Sequence, residues 1–383
     1  MSDLLTSLSL CQALVRAPSL SGDEQRAAEI VAGAMRRLGY DEVTIDDYGS
    51  VIGIRHGQVP GRTLLFDAHL DTVPPTSHAE WQHGPFSGEV VSHRLWGRGA
   101  CDDKGVLAAI ICGAARVPRE AFAGKIIVSA SVCEENLTGA ALAFILDHYP
   151  ADLVIVGEPT NLKLGMAQKG RAGIRVFTRG TSAHTSRPEL GENAIYKMIE
   201  AIAHLRAIAL PTDPELGPSF LELTEIVSEP LPSLGFVPFG CRARFVARTM
   251  PGETQESILA RFQNALTGLD GITVEFDQLT QRCYTGKLLT MRDFIPGWRM
   301  STNNPWRSII QNALGKNGLG VETFAAPYGT NASISAGVRG IPTFIFGPGS
   351  IEQAHTVDEW IAIDDLEAGE RAYATIAQTC LAR

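Results

Sequence analysis

The chain has 383 residues, 45% of them hydrophobic and 20% charged, with a formal net charge of −9. This is the composition of a globular protein with room for two domains, and its acidity excludes the basic face that a nucleic-acid partner requires. No run of about eighteen apolar residues suggests a membrane span. Met1-Ser2-Asp3-Leu4-Leu5 lacks the basic-then-apolar order of a signal peptide, so the cytoplasm is the expected location. Seven cysteines, an odd number at irregular spacing and without Cys-x-x-Cys, speak against a disulfide framework or a thiolate zinc site. Cys101 and Cys133 are read as small buried residues behind a site.

In chain order, Ser21-Gly22-Asp23-Glu24 reads as a capping box opening a helix that Gly39 stops. Val51–Ile54 and Thr63–Phe66 are short β-rich runs. A helix is expected over Lys104–Arg116, a buried strand over Lys125–Val132, a helix over Thr138–His148 and a strand over Asp152–Val156. Strands alternating with helices indicate an α/β unit with a mixed, mostly parallel sheet, whose reactive groups gather at the carboxyl ends of strands. From about Ala172 the pattern changes to strand Ile174–Thr178, helix Asn193–Ile208, strands Ser219–Val227 and Phe236–Ala247, helix Glu253–Thr267 and strand Ile272–Leu279. That β-α-β-β-α-β order is ferredoxin-like. After a loop-like stretch, Gly286–Asn304, the α/β pattern resumes with Pro305–Leu314, Gly340–Phe346 and Ile363–Leu381. The expected organisation is a first domain over 1–172 and 289–383, interrupted by an inserted domain over 173–288.

Acids and histidines recur just after strand-like runs. Phe66-Asp67-Ala68-His69-Leu70-Asp71 offers an imidazole with a carboxylate close behind it, suited to holding the ring in one tautomer. Alone, such a pair is more often incidental than functional. Gly97-Arg98-Gly99-Ala100-Cys101-Asp102-Asp103-Lys104-Gly105 places two aspartates at a helix start, where negative charge is favoured in any case. The glycines there do not make a phosphate loop, because no Gly-Lys-Ser/Thr follows. Glu134-Glu135 and Glu158 each end a buried strand, and His355 comes late. Two histidines with three or four carboxylates match a two-metal hydrolytic site of zinc, manganese or cobalt. One carboxylate must bridge the metals, and one acid that binds neither must take the proton of the attacking water. Adjacent Glu134 and Glu135 can divide that labour.

Together, Ala68–Pro74, Gly97–Gly105, Glu134-Glu135, Gly157-Glu158-Pro159 and His355 resemble the dinuclear zinc amidohydrolases and peptidases. That family contains acetylornithine deacetylase, succinyl-diaminopimelate desuccinylase and the glutamate-releasing carboxypeptidases. The resemblance implies a zinc domain with an inserted lid or dimerisation domain. Asp102 would bridge two divalent ions, with His69 and Glu158 at one and Glu135 and His355 at the other. Asp71 would orient His69, and Glu134 would be the general base. In the inserted domain, Arg179–Thr185 is similar to a segment whose histidine, here His184, reaches the partner subunit's site and polarises the scissile carbonyl, which implies a homodimer. Arg248 and the Gly329-Thr330-Asn331 loop would bind a substrate carboxylate.

Asp103 departs from the neutral residue common in the family and adds charge near the metals, and Ala247 departs beside Arg248. Glu158, rather than aspartate, goes with deacylases and carboxypeptidases. The expected activity is hydrolysis of an amide next to a free carboxylate, in an N-acyl amino acid or short peptide. A deacylase is the first reading, with a carboxypeptidase or dipeptidase as the alternative. A non-catalytic protein on the same fold is a remote third, which the intact Glu134 opposes.

Overall fold

A computed structural model of the chain describes residues 5–76, 78–232 and 234–382. Most of the amino-terminal stretch read for a signal peptide lies outside them. The main sheet has nine strands. At its centre Lys125–Ser131, Thr63–His69, Leu153–Gly157 and Thr343–Phe346 run parallel, and antiparallel strands flank them on both sides. Alternate residues of one strand serve opposite faces: Leu64, Phe66 and Ala68 join one core cluster, and Leu65 joins another. Burial on both faces is why these strands read as continuous apolar runs rather than alternating ones.

Helix Lys104–Arg116 is buried from Lys104 through Ala114 and packs against the last helix, Ile363–Cys380. An amino-terminal helix, Ser7–Val15, was not foreseen. The second helix begins at Gln25, but the expected capping box does not form, since Glu24 makes no cap bond. Ser21 Oγ instead donates to Asp71 at 2.6 Å, and Glu24 accepts the Cys133 amide at 3.0 Å. Tertiary partners have taken both side chains from the helix end. Gly39, with φ at +79°, closes that helix as expected.

A second sheet carries Leu221–Glu229, Gly240–Thr249, Gly170–Arg179 and Ile272–Phe276 in that spatial order, all antiparallel. Helices Ala194–Arg206 and Gln255–Ala265 cover one face and close a separate core around Ile174, Phe245, Met198 and Phe262. Their starts are local: Asn193 accepts from the Ile195 amide, and Thr254 with Ser257 forms a capping box. This is the β-α-β-β-α-β order read from the sequence. The stretch read as loop-like, Gly286–Asn304, contains three short strands. Gln278–Arg282 and Leu288–Arg292 form a hairpin whose Cys283 and Leu289 enter the main core, and Phe294–Ile295 and Trp298–Arg299 tie into the two sheets. Short, half-exposed strands carry too little apolar pattern to be recognised alone. All seven cysteines are buried and free.

Candidate active site

The candidate residues meet at the carboxyl ends of the central strands. His69 ends Thr63–His69, Glu134-Glu135 follow Lys125–Ser131, and Glu158 follows Leu153–Gly157. Asp102 comes from the turn before helix Lys104–Arg116, where Gly97 and Gly99 have φ of +139° and +83°, values that favour glycine. His355 lies in the loop after Thr343–Phe346. Ligand atoms of His69, Asp102 and Glu135 fall within 4.8 Å of one another.

Asp102 stands between two imidazoles. Its Oδ1 is 3.1 Å from His69 Nε2 and its Oδ2 is 3.4 Å from His355 Nε2. His355 Nε2 is also 3.1 Å from Glu135. His69 Nδ1 lies 2.9 Å from the Asp71 carbonyl, which only accepts, so this nitrogen carries a proton, and Nε2 faces Asp102. The Asp71 carboxylate is farther from the ring, at 3.6 Å. It accepts instead from Ser21 Oγ at 2.6 Å and from the amides of Glu134 and Glu135, at 2.9 and 3.1 Å. Cys133, at φ +58°, makes the turn from which both amides point to Asp71. Asp71 therefore aims the glutamate pair as well as facing His69.

The electrostatics show a site short of positive charge. Burial, reinforced by Glu135 and Asp71 and opposed by His69, pushes the Glu134 carboxyl up to about 8. Burial, then Asp102 and Asp103, pushes Glu158 well up. Burial also opposes the charge on Asp102, but hydrogen bonds from His355 and His69 hold it below the usual carboxylate range. Bonds to Asp102 and Glu135 in turn raise His355 to about 10. Among the described residues, the ion pairs of this acidic group run only to the two histidines. Imidazole and carboxylate donors, with one carboxylate spread between two rings, fit a pair of divalent cations.

The group lines a cavity of about 350 Å³. Arg171, Arg248, Ile295, Tyr328 and Gly329 line the same cavity. A larger concavity of about 640 Å³ on the second sheet, near Phe177 and Glu275, holds no such donor set.

The expectation for one loop is corrected. Of the Gly329-Thr330-Asn331 loop, only Gly329 reaches the cavity. Thr330 donates to Gln168 at 2.7 Å, and Asn331 spans Asp67 (2.7 Å), Ser131 (3.0 Å) and the Gly139 amide (2.6 Å). Both are buried supports beneath the site. His184 is exposed on a turn of the second unit, bonded to Ser186 at 2.8 Å, and does not line the cavity of its own chain. Asp103 accepts the His69 amide at 3.1 Å, and its charge adds to the acidic group, as expected.

Three residues were missed. Glu359, fully buried, accepts the amides of Gly99, Cys101 and Asp102 at 3.0, 2.9 and 3.0 Å and pairs with Arg98 at 2.7 Å. Nothing in the run around it announces this. Tyr328 lines the cavity with a buried hydroxyl that has no hydrogen-bond partner among the described residues. Arg171 stands beside Ala172, where the pattern changes, the one available hint.

Comparison with known proteins agrees with this geometry. The profile of peptidase family M20/M25/M40 matches residues 65–379. An Escherichia coli (strain K12) protein named only as uncharacterized protein YgeY is 30% identical, over 96% of this chain and 93% of its own. Acetylornithine deacetylase of Pectobacterium atrosepticum is 27% identical over 92% of each chain. Among solved structures, the M20 family metallo-carboxypeptidase Sso-CP2 from Sulfolobus solfataricus superposes with a TM-score of 0.76 at 17% identity, covering 98% of this chain and 99% of that one. Bacillus subtilis YXEP, a dinuclear metal binding peptidase from the M20 family, gives 0.72 at 16% identity, over 98% and 97%. The chain belongs to peptidase family M20/M25/M40 and is a metal-dependent hydrolase.

Proposed function

We propose that the protein cleaves an amide bond next to a free carboxylate, as an N-acyl-amino-acid deacylase. The observation that carries this reading is the placement of Asp102 between His69 and His355, with Glu134 and Arg248 lining the same cavity. His69 and Glu158 would hold one divalent ion and Glu135 and His355 the other, with Asp102 shared. Zinc is the first candidate, and cobalt and manganese share the donor preference. Such ions lower the pKa of a water and polarise a carbonyl oxygen.

The residues do the rest. Glu134, in the cavity beside the proposed metal ligands, takes the proton of the attacking water and hands it to the departing nitrogen. Arg248 grips the substrate carboxylate and fixes the amide in the cavity. The hydroxyl of Tyr328 is free to donate to the substrate. His184 would stabilise the oxyanion in a partner subunit. A dimer is supported by exposed Tyr196, Ile199, Ile226 and Phe236 on the second unit, whose edge strand Leu221–Glu229 is unpaired on one side. In this reading the inserted unit is lid and dimerisation surface together.

The relative named acetylornithine deacetylase supports a deacylase. The test is a panel of N-acetyl amino acids and dipeptides, assayed on chelator-stripped protein and after adding back zinc, cobalt or manganese. Metal-restored release of a free amino acid from the N-acetyl series is expected. Turnover of dipeptides alone would assign the peptidase alternative, and turnover of neither would reject the reading.

A further inference from the structure

The cavity carries a cation that this reading does not use. Arg171 lies directly opposite Arg248 in the antiparallel ladder between Gly170–Arg179 and Gly240–Thr249. Opposed residues project to the same face with Cβ atoms about 5 Å apart, and like charges so placed are destabilising. Both side chains nevertheless line the cavity. The protein does not compensate them fully. Arg171 meets Asp293 at 3.1 Å, but Asp293 also serves Arg244 at 2.6 Å. The next acid, Asp277, is shared by Arg244 and Arg175, at 2.8 and 2.6 Å. The guanidinium of Arg248 has no hydrogen-bond or ion-pair partner among the described residues. Burial first, and Arg171 next, lower its pKa. Nearby Lys169 adds positive charge, and Asp213, the acid that faces it, is already held by Arg299 at 2.7 Å. Among the described residues, neither Arg171 nor Arg248 pairs with the acidic group of the cavity.

We propose that Arg171 and Arg248 together form a dianion-binding wall, so that the amino acid on the leaving side is a dicarboxylate of the aspartate or glutamate kind. Arg248 takes the carboxylate beside the scissile amide, and Arg171, steadied by Asp293, takes the side-chain carboxylate. The assignment rests on the amide hydrolysis proposed for the same cavity. It makes Arg171 a specificity-determining residue.

The test compares an acid with its isosteric amide. Zinc-loaded Glu134→Gln protein is titrated calorimetrically with N-acetyl-L-glutamate, N-acetyl-L-glutamine, N-acetyl-L-aspartate and N-acetyl-L-asparagine, while the unaltered enzyme is assayed for hydrolysis of each. The acids are expected to bind at least about tenfold more tightly than their amides, the scale of one charge-assisted bond. Arg171→Gln should reduce that ratio below about threefold, and Arg171→Lys, which keeps the charge without the fork, should fall between. Thermal melting checks folding, and if the Gln variant does not fold, the partial loss in the Lys variant is the readout. Equal affinity for acid and amide, no binding of any of the four, or an unchanged ratio in the Arg171 variants would overturn the proposal. Acid-selective binding that depends on Arg171, without hydrolysis of any member, would reject the proposed reaction and leave the dianion wall standing.

Discussion

Glu359→Gln tests how the loop that presents Asp102 is held. The carboxylate of Glu359 accepts three backbone amides of that loop and pairs with Arg98, and both side chains are essentially unexposed. Glutamine preserves the volume and one acceptor oxygen but removes the charge, leaving the Arg98 guanidinium buried without compensation and at least one loop amide without its acceptor. Breaking a buried pair by removing one partner costs about 3–5 kcal/mol. At roughly 2 °C per kcal/mol for a chain of this size, the melting temperature should fall by about 6–10 °C. Asp102 loses the contact that aims it, so zinc affinity should fall by about 10–100-fold, as for other groups that orient metal ligands. Differential scanning calorimetry of the metal-free and zinc-loaded forms, with competition against a chromogenic chelator, measures both. Glu367→Gln is the control. It removes an exposed i,i+4 pair with Arg371 worth at most about 1 kcal/mol. Melting within about 2 °C of the unaltered protein, together with unchanged zinc affinity, would refute the reasoning.

Glu134→Gln should keep two metals by elemental analysis and lose about 10²–10⁴-fold in kcat; near-normal turnover with both metals bound rules out its role as base. Asn331→Ala removes bonds to Asp67, Ser131 and Gly139 beneath the site, so stability should drop by about 2–3 kcal/mol in denaturant melts. A large rise in KM without a stability loss would instead place Asn331 at the substrate. Mixing Glu134→Gln with His184→Ala subunits should restore about a quarter of normal activity if His184 acts across a twofold dimer, since a heterodimer then holds one complete site. A mixture that stays as inactive as its parents, after verified subunit exchange, excludes the trans role.

The amino-acid order alone determined much of this protein. His69, Glu134-Glu135 and Glu158 could be found because each follows a strand buried on both faces, and such strands are legible as unbroken apolar runs. The helices read over Asn193–Ile208, Glu253–Thr267 and Pro305–Leu314 could be found because they rest on local signals, and the structure caps them with neighbours, at Asn193, Thr254 and Asn304. The ferredoxin-like order followed from the same local signals. Folding decided what those neighbours cannot encode. Ser21 and Glu24 have the composition of a cap but are spent on Asp71 and Cys133, and Asn331 sits in a substrate-like motif but supports Asp67 across 264 residues. Glu359 reaches its loop from 260 positions away, and the opposition of Arg171 to Arg248 exists only once two strands pair in register. A buried polar group must find a partner wherever the fold brings one, and that partner is set by three-dimensional proximity, which local sequence pattern does not carry.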